Sequence, residues 1–201
     1  YTVPILWDKK NKVIVNNDSG EIAKMFNSAF NNLAKNPQLD LCPEELRENI
    51  DFLNRWVHSD INSVVYKAGH AATQQEYDNA YYLLFDALDE LDDSFGKSRY
   101  MIGNQLTEVD LRLFPTLLRF DEIYYVLFKC NKKRIIDYPN LLNYVRDIYQ
   151  MPGVAETINM EQTKIGYYSS KTELNKYAVV PIGPYFIDTL MEKHDRDRFT
   201  Q

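Results

Sequence analysis

Residues 3–22 read "VPILWDKKNKVIVNNDSGEI". Two short apolar runs, Val3 to Trp7 and Val13 to Val15, flank the polar "DKKNK" and predict a β-hairpin. Asp18 and Ser19 stand directly before "GEIAKMF", so a first helix should start there, its unpaired amides and positive dipole end facing beyond the strand ends. Such an end suits a carboxylate, held by the amides and the Ser19 hydroxyl. Asp18 beside it suits an ammonium group. Together they match an amino-acid head, which carries both charges on one carbon. The same pair also reads as a plain helix cap. The two roles are compatible.

A two-stranded hairpin alone is marginally stable in water. The opening residues therefore imply further strands, and the rest of the sequence offers none. We expect a sheet completed from outside residues 1–201, by truncation of a longer protein or by another chain; a first residue other than methionine favours truncation. Pro4, at a strand start, is either an edge marker or a cis X-Pro bond that turns the Val3 backbone towards a peptide-like ligand.

Everything after the hairpin reads as helix and loop. "EELRENIDFLNRWVHSDI" repeats Leu46, Ile50, Leu53 and Val57 on one stripe. "TQQEYDNAYYLLFDALDELDDSF" aligns Tyr77, Tyr81, Leu84, Leu88, Leu91 and Phe95, with Thr73 and Glu76 at capping-box spacing. A third helix starts at "LTEVDLRLF" and runs towards Phe128. A fourth starts near "DYPNLL", where Pro139 suits a first turn, and "MPGV" ends it before another. The closing "EKHDRDRFTQ" reads as a solvated tail.

Composition excludes several classes. The 201 residues are 45% hydrophobic, enough for a packed core, and carry a formal charge of -6, which argues against a nucleic-acid or anionic-membrane partner. No apolar run approaches a spanning helix, and no signal peptide is visible. Cys42 and Cys130 form no Cys-x-x-Cys pair, so a reduced, cytoplasmic protein is the natural reading. His58, His70 and His194 lack ligand spacing, and no metal site is expected.

Val-Pro before a hairpin, an acidic-Ser pair at the next helix and an all-helical remainder resemble a glutathione transferase. "YMIGNQLTEVDLRLF" is similar to the family's helical-domain signature, with Thr107 and Asp110 as capping box and Leu106 as staple. More narrowly, "VPILWDKKNKVIVNND", "VVYKAGHA", "LTEVDLRLFPTLLRFDEIYYVLFKCN", "DYPNLLNYVRDIYQMPGV" and "IGYYSS" resemble the glutathionyl-hydroquinone reductases, the Xi class, over about Thr2 to Pro184. The implied fold is mostly helical: the C-terminal part of a thioredoxin-like domain (1–35, last hairpin and helix), then an all-helical glutathione-transferase domain with an extended tail (36–201).

The resemblance also implies chemistry. Glutathione is the co-substrate, bound by Val3 and a cis Pro4 along its backbone and by Asp18 and Ser19 at its γ-glutamyl head. Tyr66 and Tyr167 bind the glutathionylated quinol, with Tyr168 a weaker candidate; Lys67 is a surface lysine that would help attract glutathione's carboxylates. The family's nucleophile is a cysteine followed by proline. It attacks the substrate's sulfur, and a second glutathione reduces the resulting mixed disulfide. That cysteine is expected upstream of Tyr1, so no catalytic residue is assigned here. Cys42 precedes Pro43 but has Glu44 and Glu45 beside it, an unfavourable setting for a thiolate, and Cys130 reads as packing. Two departures stand out: Asp18 where the family usually has Glu, and His70 where it commonly has Phe. A homodimer through the helical domain is implied. Alternatives are an omega-like thiol transferase, which simple disulfide substrates would reveal, and a non-catalytic glutathione-fold binding protein.

Overall fold

The computed structural model describes residues 3–199. Strands β1 (Leu6–Asp8) and β2 (Val13–Asn16) pair antiparallel, with Trp7 opposite Ile14 and Asp8 opposite Val13. Asp8 fixes the turn by accepting the backbone N–H groups of Lys10 at 2.8 Å and Asn11 at 3.0 Å, an Asx arrangement. Among the described residues the two strands pair only with each other. Their apolar side chains stay open, with Trp7 49% and Val15 51% exposed. Helix α1 follows at Ser19–Ser28, capped by Asp18 as the sequence implies.

By compactness the chain divides into residues 1–51 and 52–201. The family boundary expected at 35/36 lies inside the first unit. Side chains of α1 explain why 36–51 group with the hairpin: Asn27 donates to Asp40 at 2.8 Å and accepts the Leu41 amide at 2.8 Å, while Lys24 pairs with Asp51 at 3.2 Å.

Helix α2 (Arg47–Val57) ends in a π-helical turn, His58–Asn62, before α3 (Val64–Gly69). The remaining helices are α4 (Gln74–Phe95), α5 (Glu108–Arg119), α6 (Tyr125–Leu127), α7 (Pro139–Tyr149) and α8 (Met160–Ser170). A second π-helical turn, Phe120–Tyr124, joins α5 to α6. Both halves of the Thr73–Glu76 capping box form at the start of α4. Its apolar stripe buries Leu84, Leu88, Leu91 and Phe95, leaving Tyr77 and Tyr81 half-buried at the N-terminal end. Helix α7 starts at Pro139, and the Asp92 carboxylate of α4 accepts the Asn140 and Leu141 amides at 2.9 Å each. Phe95 stacks on Tyr144 at 4.0 Å, fastening α4 to α7.

The tail departs from the sequence reading. Arg196 is fully buried. It donates to the carbonyls of Phe95 at 2.7 Å and Arg99 at 2.8 Å, and also to that of Ser98. Orphan carbonyls at a helix C-terminus attract a cation, so the charged run "HDRDR" holds a buried clip within an otherwise polar tail. We expect Arg196→Ala to cost about 3 kcal/mol, since it strands buried acceptors of a charged donor. Limited proteolysis should then cut the segment after α8 well before global unfolding; an unchanged digestion pattern would refute the clip.

Candidate functional site

In the first unit, the residues expected to hold glutathione lie at the surface. Val3, Pro4, Asp18 and Ser19 are all exposed, and the Val3–Pro4 bond is cis, as the resemblance implies. Asp18 Oδ1 accepts the Glu21 amide at 2.8 Å, so the plain-cap role is realised. The Asp18 amide itself donates to Asn16 Oδ1 at 2.8 Å, which sets the bend from β2 into α1. Ser19 opens the helix, and Gly20 behind it is buried. An exposed serine at a helix start, beside a carboxylate anchored by its own cap bond, is a rigid polar edge with both charge preferences described above.

In the second unit, the two tyrosines named from sequence come together. Tyr66 of α3 and Tyr167 of α8 place their hydroxyls 2.5 Å apart. A third phenol completes a triangle: Tyr124, in the second π-helical turn, lies 3.1 Å from the Tyr167 hydroxyl and 3.4 Å from that of Tyr66. Sequence reasoning missed Tyr124, which stands in the apolar run "IYYVLF". Its spacing of four from Phe128 was the available signal. Phe128, fully buried, backs all three rings: it stacks on Tyr124 at 5.4 Å and meets Tyr66 and Tyr167 edge-on at 5.3 and 6.3 Å.

Burial dominates the electrostatics of this triangle. It pushes the Tyr66 phenol up to about 12, with the Tyr124 hydrogen bond opposing the rise and Tyr167 adding to it. Burial raises Tyr124 further. Both phenols therefore stay protonated at neutral pH and serve as hydrogen-bond donors. A cavity of about 390 Å3 opens beside them, lined by Tyr66 and Tyr167 together with Arg119, Gln162, Gly166 and Lys171. Two larger cavities in this unit, of 630 and 460 Å3, carry less chemistry. At their walls Arg146 pairs with Glu192 and Lys164 with Glu122.

The remaining candidates sort by contact. Tyr168 is buried and donates to the Glu122 carbonyl at 2.9 Å, a packing role. Lys67 is exposed. His70 packs 5.5 Å from Phe128 and sets Nδ1 3.6 Å from Glu173, at the edge of the aromatic group. Burial pushes the Cys130 thiol up to about 12, so it is no nucleophile. Cys42 is half-buried, ahead of a short 3-10 turn at Glu44–Leu46 where a helix start was expected. Among the described residues no cluster of three metal-ligating side chains occurs, and no helix is long and apolar enough to cross a membrane.

Known proteins supply relatives for this chain. Residues 74–147 match the model of the glutathione S-transferase C-terminal domain. The chain is 48% identical over 98% of its length to glutathionyl-hydroquinone reductase YqjG of Escherichia coli, covering 59% of that protein. It is 46% identical over 91% of its length to glutathionyl-hydroquinone reductase PcpF of Sphingobium chlorophenolicum, covering 58%. It thus spans about three-fifths of the relatives it matches. The glutathione-bound structure of YqjG superposes with a TM-score of 0.93, over 98% of this chain and 63% of that one. The glutathione-S-transferase Xi of Phanerochaete chrysosporium, 46% identical, gives 0.90 over 96% and 62%. With this identity sustained over nearly its whole length, the chain has the glutathione-transferase fold and is similar to Xi-class enzymes and glutathionyl-hydroquinone reductases.

Proposed function

We propose that the protein is a glutathione-dependent reductase that converts glutathionyl-hydroquinones to hydroquinones. The carrying observation is a triangle of three phenols, two of which, Tyr66 and Tyr167, line one cavity, a donor array matched to the oxygens of an aromatic diol. In this reading Asp18 and Ser19 hold the γ-glutamyl head of glutathione, and Val3 pairs with its backbone. Tyr66 and Tyr167, with Tyr124 behind them, donate hydrogen bonds to the quinol oxygens. A cysteine thiolate outside residues 1–201 attacks the substrate's sulfur, and the bond from sulfur to the aromatic carbon breaks. The departing carbon takes a proton, which a phenol is placed to supply. Free glutathione then attacks the enzyme–glutathione disulfide, regenerating the thiol and releasing oxidised glutathione.

The test uses the full-length protein, glutathione and a glutathionylated 1,4-hydroquinone, with hydroquinone and oxidised glutathione quantified as products. Equal amounts of both support the reading. Turnover of a simple glutathione mixed disulfide without release of hydroquinone would make the protein a thiol transferase instead. Tyr66→Phe and Tyr167→Phe should each lower kcat/KM for the quinol substrate about a hundredfold, the usual worth of a positioned proton donor. Exchange with a simple disulfide should be unchanged.

A further inference from the structure

The cavity beside the phenols is electrostatically one-sided. Arg119 and Lys171 line it together with Gln162, Thr163 and Ser170, and no carboxylate does. Among the described residues, neither Arg119 nor Lys171 forms an ion pair. The nearby acid of the tail, Glu173, sits against His70 Nδ1 at 3.6 Å. Arg119 is fixed by one bond, from Nη1 to the Pro115 carbonyl at 2.7 Å, which engages one of its five N–H donors. Its charge favours negative charge on the Tyr66 oxygen. Two like charges bordering a half-buried cavity raise each other's free energy, and an anion between them relieves this.

We propose that the tyrosine cavity takes hydroquinones bearing an anionic ring substituent, a carboxylate in the simplest case, with Arg119 and Lys171 setting that specificity. The proposal rests on the reading of this cavity as the quinol site. The phenols hold the diol oxygens, and the two cations hold a substituent on the ring. A guanidinium suits a carboxylate because its N–H groups form a planar fork, whereas the lysine supplies a point charge.

Glutathione also carries carboxylates, so the experiment separates the two sources. Binding of 2,5-dihydroxybenzoate, 1,4-hydroquinone and glutathione, each alone, is measured calorimetrically on the full-length protein. Dihydroxybenzoate should bind about tenfold more tightly than hydroquinone, with the margin shrinking as salt is added. Arg119→Gln and Lys171→Gln should each remove most of that margin and leave hydroquinone binding within about twofold, while Arg119→Lys restores part of it. Lys171 lies in the segment after α8, so its variant guards against a folding defect at Arg119; thermal unfolding of each variant checks this directly. Equal affinity for the two aromatics would overturn the proposal while leaving the quinol site standing. So would an Arg119→Gln variant that loses glutathione but keeps dihydroxybenzoate. Failure of both aromatics to bind the unmodified protein would sink the quinol site and this proposal with it.

Discussion

Asp110→Ala should destabilise the protein by about 4 kcal/mol, because one buried carboxylate organises the start of α5. Asp110 is fully buried and accepts four hydrogen bonds. Its Oδ1 takes the Met101 amide at 2.9 Å and the Tyr144 hydroxyl at 3.0 Å. Its Oδ2 takes the Thr107 amide at 2.9 Å and the Thr107 hydroxyl at 3.2 Å. Alanine would leave two amides and the Thr107 hydroxyl without these acceptors in a dry interior, and the Tyr144 hydroxyl with only the backbone carbonyl of residue 110 at 3.5 Å. Each stranded donor costs about 1–3 kcal/mol, moderated by local relaxation. Tyr144→Phe removes a single donor and should cost about 1 kcal/mol. Asp110→Asn should fall between the two, since the amide keeps an acceptor but turns its NH2 towards other donors. Urea unfolding of the three variants tests the ranking. An alanine variant within 1 kcal/mol of the parent would mean that water or rearrangement satisfies these donors.

Gly69→Ala should have an effect of similar size, through the opposite defect. A Cβ at Gly69 would stand 2.4 Å from Phe128 Cγ and 2.8 Å from Phe128 Cβ. Contact with the root of the side chain leaves the ring no rotamer of escape. Helix propensity favours alanine by at most about 1 kcal/mol, whereas overpacking a rigid core costs about 1–3 kcal/mol and more when backbone must move. Steric repulsion therefore wins, with a net loss of about 2–3 kcal/mol. Gly166→Ala on α8 is the control: its Cβ would meet nothing within 4 Å, so the propensity gain should show unopposed. Gly69→Ala should also weaken binding of a hydroquinone, because Phe128 backs Tyr66, Tyr124 and Tyr167 together. Unaltered hydroquinone binding in a folded Gly69→Ala protein would show that the phenols do not depend on that ring.

What the sequence reveals follows the range of the interaction. The cap at Asp18, the box at Thr73 and Glu76 and the start of α7 at Pro139 are decided within a few residues, and each forms as read. Tyr66 and Tyr167 are 101 positions apart, and only likeness to a family links them before the fold does. Tyr124 escaped because an aromatic in an apolar run looks like core, and most of that run is core. Arg196 escaped for a complementary reason: its partners are backbone carbonyls of residues 95, 98 and 99, which carry no signature in side-chain pattern. Arg119 shares that difficulty, since a lysine 52 positions on, across the cavity lining, gives it meaning.

The two π-helical turns have an evolutionary consequence. Each adds about one residue to a regular coil, and removing it would rotate everything downstream by about 100°. One such turn precedes Tyr66 and the other contains Tyr124. A single-residue deletion within 120–124 would make a straighter, better-bonded helix while swinging Tyr124 out of the hydroxyl triangle. Backbone regularity and the shape of the binding chamber are thus set against each other along this stretch. Substitutions can tune the chamber gradually, but changes in length would abolish it in one step.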